Sequence, residues 1–277
     1  MSYLSISTWS LHRLLGPLRF TGWNAETKQH ETHVTEQPQV LTLLELPAEL
    51  GRRGYQAAEV CHFHFPSVEP AYLQQLQESF QAAGIKFDTL LLDYGDLTSE
   101  NKERREADIR YMQQWIDIAS LAGAKQIRIV AGEAAPDNEE AIRLSADALI
   151  RLSQYSQSHG KNVRIISENF KSLTSTGRSC VKLLHLVGDQ ADFITDFGNF
   201  KFPTKYDEFP LTLPRSVSVH AKAQYDDQGY PDHDEFIKCL NTVRTAEFNG
   251  AIVLIYDGPG DMWAGLDRIK AIVADYL

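Results

Sequence analysis

Along its 277 residues the chain alternates short, nearly unbroken apolar runs with longer stretches in which apolar residues recur every third or fourth position. The short runs read as strands over residues 4–8, 57–61, 86–91, 126–130, 163–167, 193–195, 216–219 and 251–255. β-Branched, aliphatic and aromatic residues dominate them. Several lack the in–out alternation of a half-wetted sheet, and strands covered by helices on both faces have that character.

The segments between them carry helical punctuation. Pro70 opens a run with Leu73, Leu76 and Phe80 on one face, and Gly84 closes it. Ile109, Met112, Ile116 and Ala119 form a second apolar face, ended by Gly123. Asp137 and Glu140 have the spacing of a capping box for a helix that runs toward Gly160. Further helices are predicted over 181–187, 235–246 and 265–276, with Asn249-Gly250 leading into the last strand. Eight strand–helix units in this length point to a (β/α)8 TIM barrel, an α/β fold occupying residues 1–277 as one domain. The alternation alone is also compatible with a doubly wound open sheet. However, no Gly-x-Gly-x-x-Gly follows an early strand and no Gly-x-x-x-x-Gly-Lys-Ser/Thr occurs, so the usual marks of a nucleotide fold are missing. Residues 16–39, polar and rich in Thr, Gln and His, read as an irregular βα loop over the barrel mouth.

Charge and cysteine content narrow the partners. Lys and Arg number 27 against 37 Asp and Glu, a net charge of −10, which argues against phosphate-driven nucleic-acid binding and favours small molecules and metal cations. No apolar run reaches the ~18 residues of a membrane span, and the first residues lack the basic and apolar regions of a signal peptide. Cys61, Cys180 and Cys239 are scattered and odd in number, the usage of a reduced, cytoplasmic protein without a disulfide framework. Barrels of this kind often pair as homo-oligomers, but no residue pattern fixes a subunit number.

Chemistry in such a barrel belongs at the C-terminal strand ends. There the fifth strand delivers Glu168, the sixth Asp196, and the seventh His220 and Lys222. Two carboxylates and an imidazole from adjacent strands would hold a divalent cation in a mixed oxygen and nitrogen site, suited to Mn2+ or Mg2+ and accommodating Zn2+ or Co2+.

These stretches resemble the xylose-isomerase-like barrel superfamily, in particular its sugar phosphate isomerase/epimerase group. The resemblance is carried by Ser7-Thr-Trp-Ser-Leu-His, Gly54-Tyr-Gln-Ala-Ala-Glu-Val, Ser167-Glu-Asn, Asp196-Phe-Gly-Asn, His220-Ala-Lys and Tyr256-Asp-Gly-Pro-Gly-Asp. It implies a metal held by Glu, Asp, His and a second Glu, of which Glu168, Asp196 and His220 supply the first three. The last strand departs: where the family reads Ile-Glu-Tyr-Glu-Gly this chain reads Leu254-Ile-Tyr-Asp-Gly, so Ile255 replaces a ligand that also shuttles protons. Asp257 points the same way as Ile255, about 6–7 Å nearer the mouth, and is the candidate second acid. Asn199 stands where many relatives have His.

Other candidates follow from position. His62 and His64 share a face beyond strand two, and His64 is the stronger candidate for binding a substrate hydroxyl or phosphate. Lys222 lies on the His220 face and could polarise a carbonyl or neutralise an anion. Trp9 suits stacking on a sugar face. Glu59 and Arg128 read as an internal ion pair, 100–108 as a solvated helix start, and Asp232-His233 as a loop pair that does not converge on a metal. The expected activity is a divalent-metal-dependent isomerase or epimerase of a small sugar or sugar phosphate, working through an enediolate with Glu168 and Asp257 as proton carriers. Three alternatives stand beside it. They are a metal-dependent lyase or dehydratase, a degenerate barrel that binds a sugar without turnover, and an apurinic-endonuclease-like phosphodiesterase, which the acidic charge disfavours.

Overall fold

A computed structural model describes residues 2–277. Eight parallel strands close into a barrel: β1 (Tyr3–Ser7), β4 (Ala57–Cys61), β5 (Lys86–Leu92), β6 (Gln126–Ile129), β7 (Arg164–Glu168), β8 (Asp192–Asp196), β9 (Ser216–Lys222) and β10 (Ala251–Ile255), with β10 pairing β1. The long helices between strands are α2 (Pro70–Ala83), α3 (Lys102–Ala122), α4 (Glu139–Ser158), α5 (Gly177–Val187), α7 (His233–Thr245) and α8 (Met262–Val273). This is the (β/α)8 TIM barrel, and the open doubly wound sheet is excluded by closure. No helix among the described residues is long and apolar enough to cross a membrane.

Helix boundaries follow local chemistry. Gly84 and Gly123 end α2 and α3 at φ of 66° and 81°, a left-handed turn that glycine enters without steric cost. The cap of α4 is Asn138, whose side chain accepts from the Ala141 amide at 3.0 Å, not Asp137. Asp232 similarly caps α7 by accepting from Glu235 N, so Asp232-His233 opens a helix and does not lie in a long loop. Two short helices, α1 (Leu46–Arg52) and α6 (Lys205–Thr212), carry no strong apolar periodicity and were not anticipated.

The stretch 16–39 is not irregular. It forms an antiparallel hairpin, β2 (Leu18–Asn24) and β3 (Gln29–Thr35), that stands apart from the barrel sheet. A two-stranded hairpin is marginal alone, and side chains tie this one down, beginning with Leu18, buried in one apolar cluster with Cys61, Phe63 and Leu91. Phe20 packs on Phe63 with centroids 4.9 Å apart, Thr21 Oγ1 lies 2.7 Å from the Tyr111 hydroxyl, and His30 Nε2 lies 2.9 Å from Asp108 Oδ1. Asp108 is therefore not part of a solvated helix start: it is fully buried and also accepts from the Tyr94 hydroxyl and the Asp96 amide.

Candidate functional site

The strand ends place three donors together. Glu168 closes β7, Asp196 closes β8, and His220 sits on β9 in register with Asp196. One ligand-type atom from each lies within 4.8 Å of the others, and all three residues are buried. His220 Nδ1 is 3.3 Å from Glu168 Oε1 and 3.4 Å from Asp196 Oδ2.

Each donor is held from behind. His220 Nε2 lies 2.7 Å from Glu59 Oε2, while Glu59 Oε1 accepts from Thr89 and Ser218 hydroxyls at 2.9 and 3.1 Å. Glu59 thus reaches across the barrel interior from β4 to β9 and fixes the imidazole, as carboxylates behind metal-ligating histidines do. It makes no pair with Arg128. Asp196 accepts from the Gly198 amide at 2.6 Å, and a Cβ on Gly198 would meet the Lys222 side chain at 2.9 Å, so any larger residue here would push Lys222 aside. Asn169 brackets the Asp196 backbone, accepting from its amide and donating to its carbonyl. Asn199 donates to Glu168 Oε1 at 3.2 Å.

Burial alone would depress the His220 ring's proton affinity. The Glu168 and Glu59 charges and the hydrogen bonds to Asp196 and Glu168 outweigh it and hold the pKa well above the ordinary imidazole value. Burial likewise opposes the charged Lys222, but Asp196 and a 2.6 Å contact with Asp257 raise its pKa.

A divalent cation fits this donor set on the residues' own geometry. Two carboxylate oxygens and an imidazole nitrogen face one point, the imidazole's far nitrogen is already taken by a carboxylate, and the buried Glu168 Oε2 makes no hydrogen bond, only an ion-pair contact with Arg128 Nε at 3.0 Å. Ile255, 5 % exposed, closes the β10 side with Trp9 packed beside it and offers no ligand. Asp257 lies outside the three-donor cluster, paired with Lys222.

The cluster opens into a cavity of about 430 Å3 whose lining is divided. Trp9, Phe20, Phe63, Leu91 and Ile255 make an apolar side; Arg128, Glu168, Asp196, His220, Lys222 and Asp257 make a charged one. Trp9 is placed by the 3-10 turn after β1 and stacks on His12, with centroids 4.3 Å apart. His62 and His64 do not share a strand face, because the chain turns into a 3-10 helix after Cys61. His64 is absent from the lining of this cavity; it is buried, with Nδ1 2.8 Å from Thr8 Oγ1. Arg128 and Phe170, not anticipated as site residues, both line the cavity. A lone arginine inside the apolar β6 run was the available signal.

Comparison with known proteins agrees with this architecture. The family model of the xylose isomerase-like TIM barrel matches residues 47–272. The chain belongs to that family. Among solved structures, an L-ribulose 3-epimerase superposes with TM-score 0.71 at 13% identity, over 100% of this chain and 95% of that one. The IOLI protein, solved with a zinc atom bound, gives 0.71 at 15% over 99% and 98%. The probable 3-DHS dehydratase AsbF from Bacillus anthracis gives 0.69 at 15% over 99% of each chain. At such identities the barrel fold is what these proteins share with this chain. No curated protein matches by sequence.

Proposed function

We propose that the chain is a divalent-metal-dependent isomerase or epimerase of a small sugar or sugar derivative. The observation that carries this reading is the convergence of Glu168, Asp196 and His220 donors within 4.8 Å at the floor of the cavity, with His220 braced by Glu59. The epimerases and the zinc-bound protein among the structural neighbours support it. A cation held by those three residues, Mn2+ or Mg2+ by donor type with Zn2+ or Co2+ accommodated, would act as a Lewis acid on a substrate carbonyl and ease removal of the neighbouring proton.

The chain's own residues do the rest. Glu168, with one oxygen free of hydrogen bonds, is the base that takes the proton. Asp257, at the far side of the cavity, is the group that returns one, and its partner Lys222 steadies negative charge on substrate oxygen. Trp9 and Ile255 shut water from the carbon face of the substrate. Asn199 keeps Glu168 aimed.

A second reading, a metal-dependent dehydratase, is favoured by one observation. Ile255 removes the second carboxylate that two-sided proton transfer uses, and expulsion of a β-hydroxyl needs no proton returned to carbon from that side. Metal analysis followed by a panel of ketoses and polyhydroxy acids in deuterated water separates these outcomes. Solvent deuterium beside the carbonyl of recovered sugar supports the isomerase. Loss of water with an unsaturated product supports the dehydratase. Bound metal with neither outcome would defeat both and leave a sugar-binding barrel.

A further inference from the structure

The cavity above Glu168, Asp196 and His220 is not the whole of the space at the barrel mouth. A second cavity of about 570 Å3 lies beside it, and Lys222 and Asp257 line both. Their side chains, paired at 2.6 Å, are 28% and 29% exposed, so the pair stands between two open spaces. Ligand pockets span about 300–1,000 Å3. The first space, about 430 Å3, is therefore sufficient for one small sugar, and the second is large enough to be a site in its own right.

The second space is preformed. One wall is the turn after β9, where Tyr225 and Pro231 bridge, Asp232 N donates to the Gln224 carbonyl at 2.8 Å and Gly229 N to the Asp226 carbonyl at 3.0 Å. The Tyr225 hydroxyl donates to the Ile255 carbonyl at 2.7 Å and Arg268 to the Gly229 carbonyl at 3.1 Å, tying this turn to β10 and α8. Arg13 fixes the turn after β10 by donating to the Gly258 and Gly260 carbonyls at 3.0 and 2.9 Å. With walls braced at so many points, little affinity is lost to ordering loops around a ligand.

Its chemistry differs from that of the first cavity. Beyond Ala223, Pro259 and the Tyr225 ring, the side chains lining it are polar. Its cations are occupied: Lys201 donates to the Gly198 carbonyl at 2.7 Å, and Lys222 is held by Asp257. Asp226 Oδ1 accepts from the Gln228 and Tyr230 amides. A phosphate or carboxylate therefore finds no open cation there. The side chains of Gln224 and Asp227 are exposed and make no hydrogen bond or ion pair among the described residues. Between them they donate and accept, as hydroxyl groups require.

We infer that the second cavity is a subsite for a further, uncharged sugar unit. The molecule taken by this chain is then a glycoside, with its reacting ring over Glu168, Asp196 and His220 and its second ring beyond the Lys222–Asp257 pair. The inference rests on the first cavity being the substrate site and deepens that reading. Gln224 and Asp227 set specificity and take no part in proton transfer.

The test compares D-fructose with three disaccharides that carry a fructose unit, turanose, lactulose and isomaltulose, by ligand-observed NMR titration of the full chain loaded with Mn2+. The three differ in which fructose hydroxyl bears the second ring, so they sample different directions out of the first cavity. At least one is expected to bind tenfold or more tightly than fructose, with Mn2+ broadening its fructose protons more than those of the second ring. In the double variant Gln224→Ala, Asp227→Ala, at exposed positions, the preference should fall below threefold while fructose affinity is unchanged. Three disaccharides that bind no more tightly than fructose to the unaltered protein overturn the inference, and this arm needs no variant to fold. So does a preference that survives the double variant. Broadening of fructose by Mn2+ with no gain from any second ring defeats the subsite alone, whereas no broadening of any sugar defeats the reading of the first cavity along with it.

Discussion

Glu59 Oε2 and His220 Nε2 lie 2.7 Å apart inside the barrel, on strands that are not neighbours, and this contact decides which ring nitrogen faces the carboxylates of Glu168 and Asp196. Without it the imidazole would be free to turn Nδ1 away from them. The same carboxylate is satisfied by two hydroxyls, so its position is over-determined.

Glu59→Gln keeps the shape and removes the charge behind the ring. Divalent-metal affinity should fall about 10–100-fold, the range found when such supporting partners are altered. Titration calorimetry with Mn2+ or Zn2+ measures it, with circular dichroism confirming the fold. Unchanged affinity would mean that His220 needs no support or binds no metal.

Ile255→Glu returns a carboxylate to a position that is 5 % exposed and surrounded by Val253, Ala251 and Trp9. Without metal, an unpaired charge there should cost about 3 kcal/mol of stability. With metal the added oxygen becomes a ligand, so the rise in Tm on adding Mn2+ should be larger than in the unaltered protein. Thermal melts with EDTA and with excess Mn2+ test both halves. An equal rise in the two proteins would place residue 255 out of reach of the ion.

The barrel was legible because strands buried on both faces are continuous apolar runs, and because Gly84 and Gly123 stop helices wherever they fall. Glu168, Asp196 and His220 were legible for a related reason: a polar residue at the end of such a run has only the mouth to face. The hairpin was not, since β3 (Gln-His-Glu-Thr-His-Val-Thr) is exposed almost throughout and has no buried face to write a pattern. Arg128 was misassigned because its long side chain climbs past its own layer to Asp93 and Glu168, and reach of that kind is not encoded in strand spacing. The direction of His64 was not legible because of one local event, the turn into a 3-10 helix at His62.

Acid should destabilise the protein well above the carboxylate range. Burial lowers the pKa of His62 to about 4, with Arg128 adding and Asp93 opposing, and lowers that of His64 to about 3, with His12 and His62 adding. The unfolded chain takes up these protons near pH 6.5 while the folded chain does not. Stability is therefore fully present above pH 6.5 and declines as pH falls toward the folded values. Between pH 6.5 and 5 each histidine should cost about 2 kcal/mol. Urea denaturation at several pH values gives the slope. In His64→Gln that slope should be roughly halved, and an unaltered slope would contradict the assignment.

The hairpin's hold on the barrel makes the last prediction. Its strands bond only to each other in the sheet, so its position depends on side chains, among them the buried Leu18 and the contacts of Phe20, Thr21 and His30. Of these, His30 contacts a carboxylate with no exposed surface, and removing it leaves Asp108 with the Tyr94 hydroxyl, the Asp96 amide and a distant Arg104 at 3.7 Å. His30→Ala should therefore cost about 1–2 kcal/mol overall. Its larger effect should be local, because an element with few buried contacts opens before the core does. Amide hydrogen exchange over residues 18–35 should accelerate at least tenfold while β7 and β8 keep their protection. Phe20 lines the cavity, so loosening the hairpin should also weaken ligand binding without altering metal affinity. If exchange rises equally in the hairpin and the barrel, His30 serves the whole fold and the hairpin is not a separately held wall of the site.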